Sequence, residues 1–199
     1  MSAAGSTDAA PLSPLVEAAA RGELPEWTRA GPKRRAHMGR VAALMRQWAE
    51  ALPLPQRDVV RWTATGWLHD VLREADPEEL RPHMPLLFRP LPGKLLHGPA
   101  AAERLRDDLD PEMCEAIRFH TLGSPRFGRL GRALYLADFL EPGRTFDPEY
   151  TESLRARMPG DMDTIFREVV RLRWTHITGK GGTAHPETQA LYEQVESEA

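Results

Sequence analysis

Apolar residues recur at helical spacing along most of the chain. Between about Arg34 and Leu52 they fall at Val41, Leu44, Met45, Trp48 and Leu52, which predicts an amphipathic helix. Pro55 suits the first turn of a following helix that runs through Val59, Val60, Thr63, Trp67 and Leu68. A connection without clear period then carries Pro77, Pro82, Pro85, Pro90 and Pro92. Helical pattern returns over about Leu95 to Leu109, and Asp110-Pro111 reads as the start of a helix reaching His120. Gly123, Ser124, Pro125 and Gly128 mark a loop before a strongly apolar helix from about Leu130 to Leu140, which Pro142 and Gly143 end. Further helices are expected at about Asp147–Arg157, Asp161–Ile177 and after Pro186. Upstream, one or two short helices fit between Pro14 and Ala30, broken at Gly22 and Pro25 and closed by Pro32. No strand alternation and no internal repeat are visible, so the expected fold is all-α.

Length and composition narrow this further. The 199 residues suit one domain, here residues 31–199, preceded by a mobile N-terminal tail and short lead-in helices over residues 1–30. A hydrophobic fraction of 41% is enough for a core and excludes a wholly disordered chain. No window approaches the roughly 18 consecutive apolar residues of a membrane span, and the N-terminus lacks the form of a signal peptide. A lone Cys114 fits a reducing, cytoplasmic setting. Lysine occurs only at Lys33, Lys94 and Lys180, so 26 basic residues less these three leaves 23 arginines. Arginine suits polyanionic ligands, but genomic base composition accounts for such a bias more simply. The net charge of −3 gives nucleic-acid binding little support.

The chemistry concentrates in histidine and aspartate. His69-Asp70 lies in WLHDVL, at the end of an otherwise apolar helix. Asp138 sits in LYLADFL, the most apolar helical run, where a lone carboxylate needs a strong partner. His120 shares the core-facing side of its helix with Ile117 and Met113, His97 follows Leu95-Leu96, and His37 precedes Val41 and Leu44. Taken singly, each histidine is more often a hydrogen-bonded core or surface residue. Together, imidazoles and carboxylates on apolar helical faces suit iron, manganese or zinc, and inward-facing ligands on helices are a way to build a two-metal site.

In the order His37, His69-Asp70, His97, His120, Asp138, the chain resembles the HD-domain metal-dependent phosphohydrolases. Within them it is similar to the YqeK-type symmetrical diadenosine tetraphosphatases. The resemblance rests on RRAHMGRVA, TGWLHDVLR, LLHGPAAAERL, AIRFHTLGSP, LYLADFLEPGR and AHPETQALY, and covers roughly Arg34 to the end. It implies an all-α HD helical bundle over residues 31–199. It also implies two divalent ions, iron first, with manganese or another transition metal as the alternative. His37, His69, Asp70 and Asp138 would hold one ion, with Asp70 bridging to a second completed by His97 and His120. Water activated there would attack an inner phosphorus of diadenosine tetraphosphate and give two ADP.

The resemblance further marks Asp70 and Arg73 as catalytic, and a homodimer is its implication alone. Arg73 stands where the family usually has lysine, and Ser124 stands where an arginine is common. Arg73, Lys94, Arg118, Arg126 and Arg144 are candidates for substrate phosphate. The alternatives are an HD nucleotidase or phosphodiesterase with another nucleotide substrate, or a metal- or nucleotide-binding protein without turnover. Cys114 reads as a core residue, the GKGGT stretch at 179–183 as a turn, and His83 and His176 as non-functional; His185 belongs to the C-terminal HPxT stretch.

Overall fold

Most helices begin where a proline follows a capping residue. Pro14, Pro32, Pro77, Pro111, Pro148 and Pro186 occupy first-turn positions, where the missing N–H costs nothing and the fixed φ is already helical. The side chains of Ser13, Asp76, Asp110, Asp147 and His185 accept hydrogen bonds from first-turn N–H groups. The structure, a computed structural model, describes residues 11–179 and 181–198. The helices are α1 (Pro14–Ala20), α2 (Pro32–Ala51), α3 (Gln56–Leu68), α4 (Pro77–Leu80), α5 (His97–Leu105) and α6 (Pro111–Phe119). They continue as α7 (Arg129–Leu140), α8 (Pro148–Arg157), α9 (Met162–Thr178) and α10 (Pro186–Ser197). No strand occurs among the described residues, so the fold is all-α.

The expected helices are present with small shifts. Pro32, read as closing the lead-in, instead starts α2, and Pro55 is the cap before α3 rather than its first residue. The proline-rich connection is a string of short pieces, namely α4 and three 3-10 turns up to Leu95. Gly22 and Gly181 both take positive φ in turns, consistent with a break after α1 and with the turn expected at 179–183. Most of the N-terminal tail, residues 1–10, lies outside the described residues.

The core forms where α2, α3 and α7 cross, with α1 against α3, α5 against α6, and α9 bridging α7 and α10. Met38, Val41, Met45 and Trp48 line the inner face of α2, and Leu130, Leu134 and Leu136 come from α7. Each such side chain contributes about 1.5–3 kcal/mol by leaving water. At the α2–α3 crossing the backbones nearly touch. A Cβ on Gly66 would lie 2.6 Å from the Ala42 Cα, so only glycine permits this approach. That closeness brings the start of α2 beside the end of α3, where His69 and Asp70 lie. No helix among the described residues is long and apolar enough to cross a membrane.

Candidate metal centre

Side chains from α2, α5 and α7 and from the ends of α3 and α6 converge on the Asp70 carboxylate. Its Oδ1 lies 3.1 Å from His97 Nε2 and 3.5 Å from His120 Nε2. Its Oδ2 lies 3.4 Å from His69 Nε2 and 3.6 Å from His37 Nε2, and accepts a hydrogen bond from Arg34 at 2.9 Å. Asp138 Oδ1 is 3.2 Å from His37 Nε2 on the same side. The carboxylate therefore divides two compartments. One holds His37, His69 and Asp138, and the other holds His97 and His120. The donor atoms of His37, His69 and Asp70, and those of Asp70, His97 and His120, each lie within 4.8 Å of one another. His37, His69, Asp70, His97 and His120 are buried.

Local structure sets the direction of each ring. His69 and His120 directly follow α3 and α6, and His97 opens α5. Each Nδ1 faces the carbonyl three residues earlier, on Gly66 at 2.8 Å, Ile117 at 2.8 Å and Lys94 at 3.1 Å. A carbonyl only accepts, so each Nδ1 carries the proton and each Nε2 turns a lone pair inward. His37 Nδ1 is 3.1 Å from Glu141 Oε1, which assigns the same tautomer. Burial tends to raise the Glu141 pKa, but hydrogen bonds from Arg40, His37 and the Gly143 N–H outweigh it and hold the carboxyl at about 2.

These lone pairs face the oxygens of Asp70 and Asp138, and the Nε2 atoms of His97 and His120 face each other at 3.1 Å. Acceptors opposed to acceptors repel unless cations stand between them. Consistently, His37 Nε2, His69 Nε2 and Asp70 Oδ1 are buried without a hydrogen-bond partner among the described residues, a condition that costs about 1–3 kcal/mol per group. Divalent metal ions, or protons in their place, remove the conflict. Imidazole and carboxylate donors suit first-row transition ions, and the residues fit such a centre.

The electrostatics follow the same geometry. Burial opposes ionisation of Asp70, yet the surrounding imidazoles prevail and hold its carboxyl well below the usual range. Asp138 is likewise lowered against the effect of burial, through His37, Arg144 and His69. Burial pushes His97 down to about 4, reinforced by His120 and Arg73 against the pull of Asp70. His97 is thus neutral, as a ligand must be. For His69, burial acts downward but Asp70 and Asp138 raise it overall.

Among the other candidates, Arg144 donates to both the side chain and the backbone carbonyl of Asp138. Arg73 lies in the turn after Asp70, where its N–H donates to the Asp70 carbonyl at 3.0 Å. Lys94 is exposed and supplies the carbonyl that orients His97. Arg118 donates to the Cys114 sulfur at 3.5 Å. Arg126 pairs with Glu115 and Glu187 and lies over the Phe119 ring. Ser124 is buried and donates to Glu115 at 2.7 Å. Two neighbours of the centre escaped the sequence reading, Arg34 and Glu141. Their signals were spacing alone: Arg34 lies one helical turn before His37, and Glu141 three residues after Asp138.

Comparison with known proteins places this geometry. The HD domain family matches residues 34–143. The bis(5'-nucleosyl)-tetraphosphatase, symmetrical, of Halalkalibacterium halodurans is 31% identical over 105 residues, covering 51% of this chain and 55% of that protein. The protein of the same description from Bacillus subtilis is 26% identical over 125 residues, covering 61% of this chain and 62% of that one. The chain thus spans about half to three-fifths of the length of these curated relatives. A solved structure described as a predicted HD superfamily hydrolase involved in NAD metabolism, from Clostridium acetobutylicum, superposes with a TM-score of 0.71. It is 23% identical, and the superposition covers 85% of this chain and 92% of that chain, so it speaks to the fold. The HD match runs from the start of α2 to the loop after α7, more than half of the residues, and takes in the whole constellation around Asp70; this chain belongs to the HD-domain family.

Proposed function

We propose that the chain is a metal-dependent phosphohydrolase that cleaves diadenosine tetraphosphate symmetrically into two ADP. The observation that carries this reading is the Asp70 carboxylate, whose two oxygens face separate histidine pairs. In this reading His37, His69, Asp70 and Asp138 would hold one divalent ion, and Asp70, His97 and His120 would hold a second. Iron is the first choice, with manganese or another transition ion as the alternative. When bound, such ions supply Lewis-acid polarisation of phosphoryl oxygens and a nucleophile at neutral pH.

The chain's own residues bind and orient. Around the centre stand three carboxylates, Asp70, Asp138 and Glu141, each paired with an arginine, respectively Arg34, Arg144 and Arg40. Each of these three carboxylates is therefore matched by a guanidinium. Two divalent ions add four positive charges, which a tetraphosphate bridge, with one negative charge per phosphate, offsets. Arg34 and Arg144 are both partly exposed. With Asp70 and Asp138 serving as metal ligands, these two guanidiniums would be free to grip phosphate oxygens in forked geometry. Arg73, beside Asp70, places a positive charge near the negative charge that develops on the oxygens of the transferred phosphoryl group. Symmetrical cleavage breaks the central P–O–P bridge. Water oxygen joins one inner phosphorus, and the bridging oxygen leaves with the other as ADP.

We assign residues 31–199 to this catalytic domain, since α9 packs onto α7 and α10 packs onto α9. The buried Cys114 thiol fits the reducing cytoplasm, and the resemblance adds a homodimer to the proposal. The test is to supply the purified protein with ferrous iron or manganese and diadenosine tetraphosphate, then resolve the nucleotides. ADP as sole product supports the reading. ATP plus AMP, or turnover of mononucleotides alone, overturns it.

A further inference from the structure

His37 differs from the other histidines of the centre in how its ring is held. His69, His97 and His120 sit at helix ends, where a carbonyl three residues back is available to Nδ1. His37 lies inside α2, where nearby carbonyls are taken up by the helix itself. Its Nδ1 partner must come from elsewhere, and the Glu141 carboxylate supplies it from 104 residues away at 3.1 Å.

Glu141 is itself held on several sides. Its side chain is only 2% exposed. Oε2 accepts from Arg40 Nε at 2.5 Å and from the Gly143 N–H at 2.6 Å, while Oε1 accepts from Arg40 Nη2 at 3.3 Å as well as from His37. Gly143 leaves room for the Arg40 guanidinium, which a Cβ at that position would push aside. Pro142 ends α7 immediately before it, so the chain turns and presents the Gly143 N–H to the carboxylate. A buried carboxylate with its charge matched by arginine and its remaining acceptor directed at an imidazole is a device for fixing a tautomer and a ring angle.

We propose that Glu141 is a positioning residue of the centre, acting through His37. By holding Nδ1–H it directs the His37 Nε2 lone pair at Asp70 and Asp138, where a metal ion is taken up. The carboxylate also makes this imidazole a stronger donor than its carbonyl-bonded neighbours. Arg40 and Gly143 serve by holding Glu141. The proposal rests on the metal reading above and adds to it a residue that never touches the ion.

The test measures manganese binding to the purified full chain by calorimetry, in four proteins: wild type, Glu141→Gln, His37→Ala and the double variant. Circular dichroism confirms that each is folded. Glu141→Gln is expected to weaken manganese binding about 10–100-fold in the wild-type background and less than about 2-fold once His37 is alanine, because a residue that acts through a ligand has nothing to act on without it. Equal loss in both backgrounds, or no loss in the first, overturns the proposal and leaves the metal reading standing. Wild-type protein that binds no manganese overturns both. If Glu141→Gln fails to fold, Arg40→Gln replaces it, at a side chain 39% exposed. Its loss must likewise vanish in the His37→Ala background, and persistence there overturns the proposal.

Discussion

Each titratable side chain at the centre has an environment that suits one task. His97 is pushed down to about 4 by burial and so presents a neutral ring, whereas Arg34 and Arg144 lean on carboxylates that a metal would claim. The two arginines are expected to show their role in substrate binding rather than in metal uptake. Arg34→Ala and Arg144→Ala should each raise KM for diadenosine tetraphosphate roughly 10- to 150-fold, matching the about 1.5–3 kcal/mol typical of a charge-assisted hydrogen bond. Manganese affinity measured by calorimetry should stay equal or rise, since a competing cation has been removed. A fall in metal affinity with KM unchanged would contradict this division. Of the two, only Arg144 is a phosphate candidate from sequence; the pairing of Arg34 with Asp70, 36 residues away, is not written in local spacing.

At the scale of elements, the decisive contact is between α2 and α3. Gly66 lets α3 lie against Ala42, and its carbonyl also orients His69. Gly66→Ala should therefore destabilise the fold by about 1–3 kcal/mol and weaken manganese binding together with it, read by urea unfolding and calorimetry. A second knot joins α3 to the start of α6. Arg61, its side chain 14% exposed, donates to Asp58 at 2.6 Å, to Asp110 at 2.6 and 2.9 Å and to Glu112 at 3.0 Å. Burial tends to raise Asp110, but Arg61 and the first N–H groups of α6 lower its pKa overall. A carboxylate lowered by folding stabilises the native state above its unfolded pKa, and that contribution disappears as pH falls through the lower, folded value. Arg61→Met should cost about 2–3 kcal/mol at pH 7. The difference between wild type and variant should shrink on acidification below about pH 4, the unfolded carboxylate value. A gap that widens in acid would reverse the assignment.

The whole molecule is bound together through its centre. The donors come from α2, α5, α7 and the ends of α3 and α6, so an ion there ties distant segments and binds only the folded chain. Saturating manganese at about 100 times its Kd should raise stability by about 2.7 kcal/mol, with a higher Tm that chelation reverses. Asp70→Ala, which removes the shared carboxylate, should show no such response and no turnover. A metal-dependent Tm in that variant would place the ion elsewhere.

Much of this was legible in the sequence, because helices announce themselves locally. Apolar spacing located α2, α3, α6, α7 and α9 to within a few residues, and proline with a capping residue marked most starts. The set His37, His69, Asp70, His97, His120 and Asp138 was legible too, since polar groups on apolar faces are rare enough to point at one another. Their gathering around one carboxylate needed tertiary structure, as did the assignment of His97 and His120 to one Asp70 oxygen and His37 and His69 to the other. So did the partners of Arg118 and Arg126, which hold Cys114 and the pair Glu115 and Glu187. Glu141 was the furthest from view. Helical periodicity says which side of a helix is buried, but the partner of a buried group is chosen by how helices cross. Here that crossing sets a carboxylate just beyond α7 against an imidazole of α2, 104 residues away.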